Sequence, residues 1–269
     1  MSREDKRFYE KYPVQHQYWF RGKIYKAHEC DPVYLKALRY AHVRDTDVLI
    51  ATYPKSGTTW ISEIVSTILE EGNVDSVKEV PLAERVYHLE ILKSVEVLDN
   101  WSRDKPRVFF THLVWDWLPE QVTQGKGKVI SVWRNPKDVA VSFYHYYQSV
   151  SWANYYNGSW EEFLDAFLKG WLVQGSIFDY AKSWRLALQS DNVLVVTYED
   201  LITDLFSSLK KIATFLGKNF DETTLRNIVD HVSFSNMKSN IMVNWFEKNE
   251  LFERESNGCP FFRKGVTGD

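Results

Sequence analysis

The chain is 269 residues long, with 44% hydrophobic and 26% charged residues and a formal net charge of -3. That length holds one large α/β domain or two small ones, and the slightly acidic balance excludes a global basic field for nucleic acid. Two cysteines, Cys30 and Cys259, do not make a disulfide scaffold, and the charged opening Met1-Ser-Arg-Glu-Asp-Lys-Arg7 does not read as a signal peptide. No apolar run of about 18 residues exists to span a bilayer, so a soluble cytoplasmic protein without membrane partners is expected. The aromatic share of 16%, with 11 Trp, is high. Such a surplus lines pockets for flat apolar ligands, and core packing also absorbs it.

Residues 1–45 are polar and aromatic with little periodicity, and Tyr18, Trp19, Phe20 and Tyr25 cluster around Gly22. They read as a lead-in packed on the core. Asp47 to Trp60 is the informative stretch. Val48 to Ile50 are aliphatic, and Ala51 to Tyr53 continue an extended run that Pro54 ends. Lys55, Ser56, Gly57, Thr58 and Thr59 form a short loop, and the spacing predicts a helix from Trp60 to Leu69. Strand, small-residue loop and helix N-terminus together make an anion site: backbone N–H groups point outward and the dipole favours negative charge. Lys55 adds a positive charge, and the hydroxyls of Ser56, Thr58 and Thr59 add donors. The pattern is not Gly-x-x-x-x-Gly-Lys-Ser/Thr, because the lysine precedes the glycine. An ordinary strand–turn–helix corner is the plainer reading of the stretch by itself.

Further apolar runs follow. Arg107 to His112 reads as a second buried strand, Lys128 to Trp133 as a third and Asn192 to Tyr198 as a fourth. A histidine at the C-terminal end of such a strand sits where α/β sheets bind ligands. The third strand runs into Arg134-Asn-Pro-Lys-Asp, in which Pro136 and Asp138 suit a first helical turn. Ser142 then lies about two turns beyond Arg134, an arginine fit for bidentate phosphate contact. Trp160 to Trp184 is helical by pattern, and Leu205 to Gly217 reads as an amphipathic helix with a glycine stop. Strands alternating with helices imply a single α/β domain with a central parallel sheet.

Tyr-Pro-Lys-Ser-Gly-Thr-Thr-Trp, residues 53–60, resembles the phosphosulfate loop of the cytosolic sulfotransferases. That family moves a sulfuryl group from 3′-phosphoadenosine 5′-phosphosulfate (PAPS) to a hydroxyl or amine of a small molecule, leaving 3′-phosphoadenosine 5′-phosphate (PAP), with no metal. The resemblance continues in Thr111-His112-Leu113, in Arg134 to Ser142, in His231-Val-Ser-Phe-Ser-Asn-Met237 and in Arg263-Lys-Gly265-Val-Thr-Gly-Asp269. It implies His112 as the base and Lys55 on the sulfuryl group, with the backbone of residues 56–59 on the 5′-phosphate. Arg134, Ser142, Phe262, Arg263, Lys264 and Gly265 fall at the 3′-phosphate and its cover, and Trp60, Tyr198 and Phe234 at the adenine. For the acceptor it implies Phe20, His88, Tyr146 and Trp245; Trp19 and Trp115 add to the aromatic set. It also implies one sulfotransferase domain over 1–269, with 1–45 bordering the acceptor pocket and 256–269 closing over the nucleotide. The family's dimer-contact segment has no counterpart before Asp269, which leaves a homodimer open.

Four departures from the family pattern stand out. Tyr87 and His88 replace a proline and an aromatic, Phe110 replaces a lysine, Val114 a proline, and Val232 a hydroxyl residue. Loss of a donor aimed at developing charge costs on the order of 10²–10³ in rate, so a family member that binds PAPS or PAP without efficient catalysis is one alternative. A small-molecule kinase is another, opposed by the missing triphosphate-loop pattern.

Overall fold

The aliphatic runs assemble into one parallel sheet. The computed structural model describes residues 3–13, 17–20, 23–26, 31–92, 95, 98, 104–243 and 260–268. Before the sheet come α1 (Arg3–Lys11), an antiparallel hairpin of β1 (Gln17–Phe20) and β2 (Lys23–Lys26), and α2 (Pro32–Leu38). The segment read as an irregular lead-in is therefore structured, and Tyr25 and Leu38 sit in the core. The sheet strands are β3 (Val48–Thr52), β4 (Tyr87–His88), β5 (Val108–Thr111), β6 (Lys128–Trp133) and β7 (Val193–Thr197). They run in the order β4-β5-β3-β6-β7, every pairing parallel.

Between the strands lie α3 (Thr58–Leu69), α4 (Val74–Lys78), α5 (Leu82–Arg85), α6 (Glu120–Thr123), α7 (Pro136–Gln148), α8 (Trp160–Lys169) and α9 (Ile177–Ser183). After β7 come α10 (Tyr198–Thr203), α11 (Leu205–Phe215), α12 (Glu222–His231) and α13 (Phe234–Ser239). Central β3 is buried at every position, as expected for a strand covered on both faces. Its Val48 and Ile50 join the cluster built by α3, α11 and α12, whereas Leu49 and Ala51 join that built by α7, α8 and α9. Helix α3 follows β3 on one face and α7 follows β6 on the other. The neighbouring strands β3 and β6 thus send their chains to opposite sides, and a crevice opens at their C-terminal ends.

Three expectations are corrected. The run from Trp160 to Trp184 is two helices: α8 ends at Gly170, which is left-handed at φ 72 and caps onto Ala166 and Phe167, and α9 starts anew behind a Ser176 cap. Strand β7 is at the sheet edge and only half-buried along most of its length. A fifth strand, the two-residue β4, adds to the four read from the sequence; its Tyr87-His88 pair is too short to show a period.

Two buried ionic clusters brace the layers. Arg107 holds Asp47 through two nitrogens and also donates to the carbonyls of Leu98 at 2.5 Å and His42 at 3.0 Å. It thereby joins the starts of β5 and β3, with both side chains almost wholly buried. Glu63 on α3 accepts from Arg85 at 2.6 Å and lies 2.7 Å from His231 Nε2, pinning α3 to α5 and α12. Among the described residues no helix is long and apolar enough to cross a membrane. Removing one partner of a buried pair leaves the other charge uncompensated, at a cost of about 3–5 kcal/mol. Asp47→Ala should lower the urea unfolding free energy by that amount, and a loss under about 1 kcal/mol would show that the pair is not holding the strands.

Candidate active site

The anion loop lies at the crevice. Tyr53 is buried and donates its hydroxyl to the Gly175 carbonyl at 2.7 Å, which anchors the loop to the opposite layer. Lys55 has φ 70 and Gly57 φ 101, so the chain turns twice through the left-handed region before α3 begins. Gly57 is the N-cap and brings no side chain to accept from the first N–H groups of α3, which are the expected anion donors. A Cβ on Gly57 would lie 2.9 Å from Tyr198 Cδ2, so glycine also allows that ring to close on the loop. Thr58 and Thr59, read as loop, already belong to the helix. Lys55 Nζ rests over two rings, 4.3 Å from the Tyr146 centroid and 4.5 Å from that of Phe261.

His112 stands one residue beyond β5, beside the end of β3. Its Nδ1 lies 2.9 Å from the Thr52 carbonyl and 3.3 Å from Thr52 Oγ1, which meets Thr58 Oγ1 at 2.7 Å. A carbonyl only accepts, so Nδ1 carries the hydrogen and the lone pair of the neutral ring sits on Nε2. The main-chain N–H of His112 donates to Glu90 Oε1 at 2.6 Å. Glu90 is fully buried. Burial opposes its ionisation, but His88 and His112 outweigh that and hold its carboxyl below the usual carboxylate range. Glu90 was not foreseen: the sequence shows one acid among many, and only the fold brings it under His112.

The cations and aromatics of the second motif group converge on the same mouth. Arg134 donates to the Lys55 carbonyl at 3.0 Å and to the Val266 carbonyl at 3.4 Å, and its guanidinium lies 4.1 Å over the Tyr198 ring. Ser142 is half-buried on α7. Trp60 packs edge-on to Tyr198 at 5.5 Å and donates its indole N–H to the Val232 carbonyl at 2.8 Å. Val232 itself is buried, so the apolar side chain at this departure faces the core. Phe234 is exposed and meets Phe262 at 6.3 Å. Gly265 is left-handed at φ 66, and a Cβ there would lie 2.2 Å from Phe234 Cδ2. Arg263 is half-buried and Lys264 exposed. Gly268 N–H donates to both oxygens of Asp138, at 3.1 and 3.0 Å, which fastens the C-terminal run to the first turn of α7.

Of the residues expected at the acceptor, Tyr146 approaches Lys55, and His88 stacks on Phe110 at 4.4 Å and meets His112 edge-on, with 5.6 Å between ring centroids. Phe20 packs 5.3 Å from Trp117, on the hairpin. Trp115 is corrected to a core residue, buried against Trp184 at 5.3 Å. Trp245 and the side chain of Trp19 lie outside the described residues.

A parallel sheet with a helix N-terminus, two cationic motifs and an imidazole at the strand ends defines a group-transfer enzyme handling an anionic donor. A family model described as the sulfotransferase domain matches residues 45–269. Mouse sulfotransferase 1B1 is 38% identical over 261 residues, 93% of this chain and 86% of that protein. Human sulfotransferase 1E1 is 39% identical over 233 residues, 84% of this chain and 77% of that one. Among solved structures, mouse sulfotransferase SULT7A1 complexed with PAP matches with TM-score 0.77 and 32% identity, over 94% of this chain and 87% of its own. Retinol dehydratase shares the fold at TM-score 0.87 and 22% identity, covering 100% of this chain and 88% of that one. The chain belongs to the sulfotransferase family.

Because the folded-state carboxyl of Glu90 is held below its ordinary 4.5, its stabilisation is present above that pH and lost as pH falls through the lower value. Glu90→Gln should flatten the acid limb of a tryptophan-fluorescence unfolding curve as the pH falls below 4.5. An unchanged limb would remove Glu90 from the charge balance of the site.

Proposed function

We propose that this sulfotransferase takes its sulfuryl group from PAPS, passes it to a hydroxyl or amine of a small flat or alicyclic acceptor, and releases PAP. The observation that carries the reading is the placement of His112, fixed by the Thr52 carbonyl beside the N-terminus of α3. Two features of the cradle fit the donor: Gly57 and Gly265 stand where a Cβ would collide with Tyr198 and Phe234, so each glycine lets a ring close over the loop where the base of the donor is proposed to lie. The PAP in the SULT7A1 structure supports the same choice.

The donor, when bound, supplies an activated sulfuryl group on a phosphate leaving group. The N–H groups of residues 56–59 and the Lys55 ammonium take up the charge on that phosphate. Arg134, Ser142, Arg263, Lys264 and the Gly265 amide hold the 3′-phosphate, with Phe262 in its cover, while Trp60, Tyr198 and Phe234 frame the base. His112 accepts the proton of the acceptor hydroxyl on Nε2 as the oxygen attacks sulfur. Its Nδ1–H stays on the Thr52 carbonyl and fixes the tautomer. Phe20, His88, Tyr146 and Trp245 are the acceptor-side residues of this reading. A second reading, a PAP binder with little turnover, is favoured by Phe110, which offers no donor beside the sulfuryl group.

His112→Ala should lower transfer from labelled PAPS by about 10²–10⁴-fold while PAP affinity by calorimetry changes less than about threefold. Full activity in the variant removes His112 from the reaction. Arg134→Ala and Arg263→Ala should each weaken PAP binding and leave AMP binding unchanged; a parent that binds AMP as tightly as PAP overturns the nucleotide assignment.

A further inference from the structure

His88, placed above on the acceptor side, forms with Glu90 a polar pair beside His112, and the proposed transfer gives that pair no task of its own. The parallel register sets His88 of β4 directly against Phe110 of β5, and their rings stack at 4.4 Å with 13° between planes. The stack fixes the plane of the imidazole. Its Nε2 then faces Glu90 Oε2 at 3.5 Å. Both atoms are buried, and among the described residues neither has a hydrogen-bond partner within bonding geometry. The other carboxylate oxygen holds the main-chain N–H of His112 at 2.6 Å. Among the described residues, the groups facing this carboxylate are His88, His112 and Tyr180, whose hydroxyl is likewise buried without a partner there.

A fully buried carboxylate with one oxygen unsatisfied is costly, because the charge loses its water without gaining a donor. A side-chain donor from position 110 is absent, since Phe110 is apolar. A small advance of His88 along its stacking plane brings 3.5 Å to bonding distance. We infer that His88 is a positioning residue: its Nε2–H closes on Glu90, Glu90 fixes the His112 main chain, and the pair replaces the support that a donor at position 110 would give. His112 is thereby held from two sides, by Thr52 through its ring and by Glu90 through its backbone. The inference rests on His112 as the base of the proposed transfer.

The test is a double-mutant cycle on the full chain, with 2-naphthol as the probe acceptor. Misplacing a catalytic group by about 1 Å costs on the order of 10²-fold. His88→Phe should therefore lower kcat by roughly that factor, with KM for PAPS and PAP affinity by calorimetry within about threefold of the parent. Phe110→Lys alone should change kcat by less than about threefold, yet in the His88→Phe background it should restore at least about tenfold. His88→Gln, which keeps an N–H, should retain most of the parent rate. If His88→Phe does not fold, His88→Gln and Phe110→Lys carry the test. Additive effects, a rise in KM without a fall in kcat, or a gain of about tenfold or more from Phe110→Lys in the parent overturns the inference. Failure of PAP binding, or an active His112→Ala, overturns the proposed function instead. So does a parent inert toward 2-naphthol with and without the lysine, whereas an inert parent that the lysine activates overturns this inference.

Discussion

One bond at the top of the sheet organises the site: His112 Nδ1 on the carbonyl of Thr52, at 2.9 Å. It works because β3 and β5 are parallel neighbours in register, Ala51 beside Thr111, so both chains leave the sheet at the same height. The carbonyl belongs to the last residue of the buried central strand, which has little freedom to move. The imidazole inherits that rigidity. A few residues later the same strand opens into the loop before α3, so on the proposed reading base and phosphate cradle share one reference frame. Positioning of this kind contributes to rate before any charge is transferred.

The cations of the site are supported in a consistent way. Lys55 lies over Tyr146 and Phe261, and Arg134 over Tyr198. A ring face orients a cation while leaving its N–H donors able to turn toward an anion. The buried pairs that hold the fold, Asp47 with Arg107 and Glu63 with Arg85 and His231, are elsewhere in the layers.

Much of this was legible in the sequence because it is local. The strand ended by Pro54, the lysine and glycine before α3, and the Arg134-Asn-Pro turn into α7 are contiguous patterns with direct backbone meaning. What was not legible depends on distance along the chain. Glu90 reaches His112 from 22 residues away, and Glu63 meets His231 across 168, so neither pairing leaves a periodic trace. Strand β4 is too short to display alternation. The break at Gly170 was hidden because apolar residues continue on both sides of it; its φ of 72 shows only in three dimensions. Trp115 reads as a ligand-facing aromatic until Trp184 is seen packed against it.

Among the described residues, the C-terminal run 260–268 meets the site at Gly268 on Asp138, the Val266 carbonyl on Arg134, Phe261 at Lys55 and Gly265 against Phe234. On the proposed reading, this run also carries the clasp for the nucleotide's second phosphate. On that reading the Asp138 carboxylate, by holding the Gly268 N–H, ties the nucleotide's cover to the first turn of the helix that also carries Ser142.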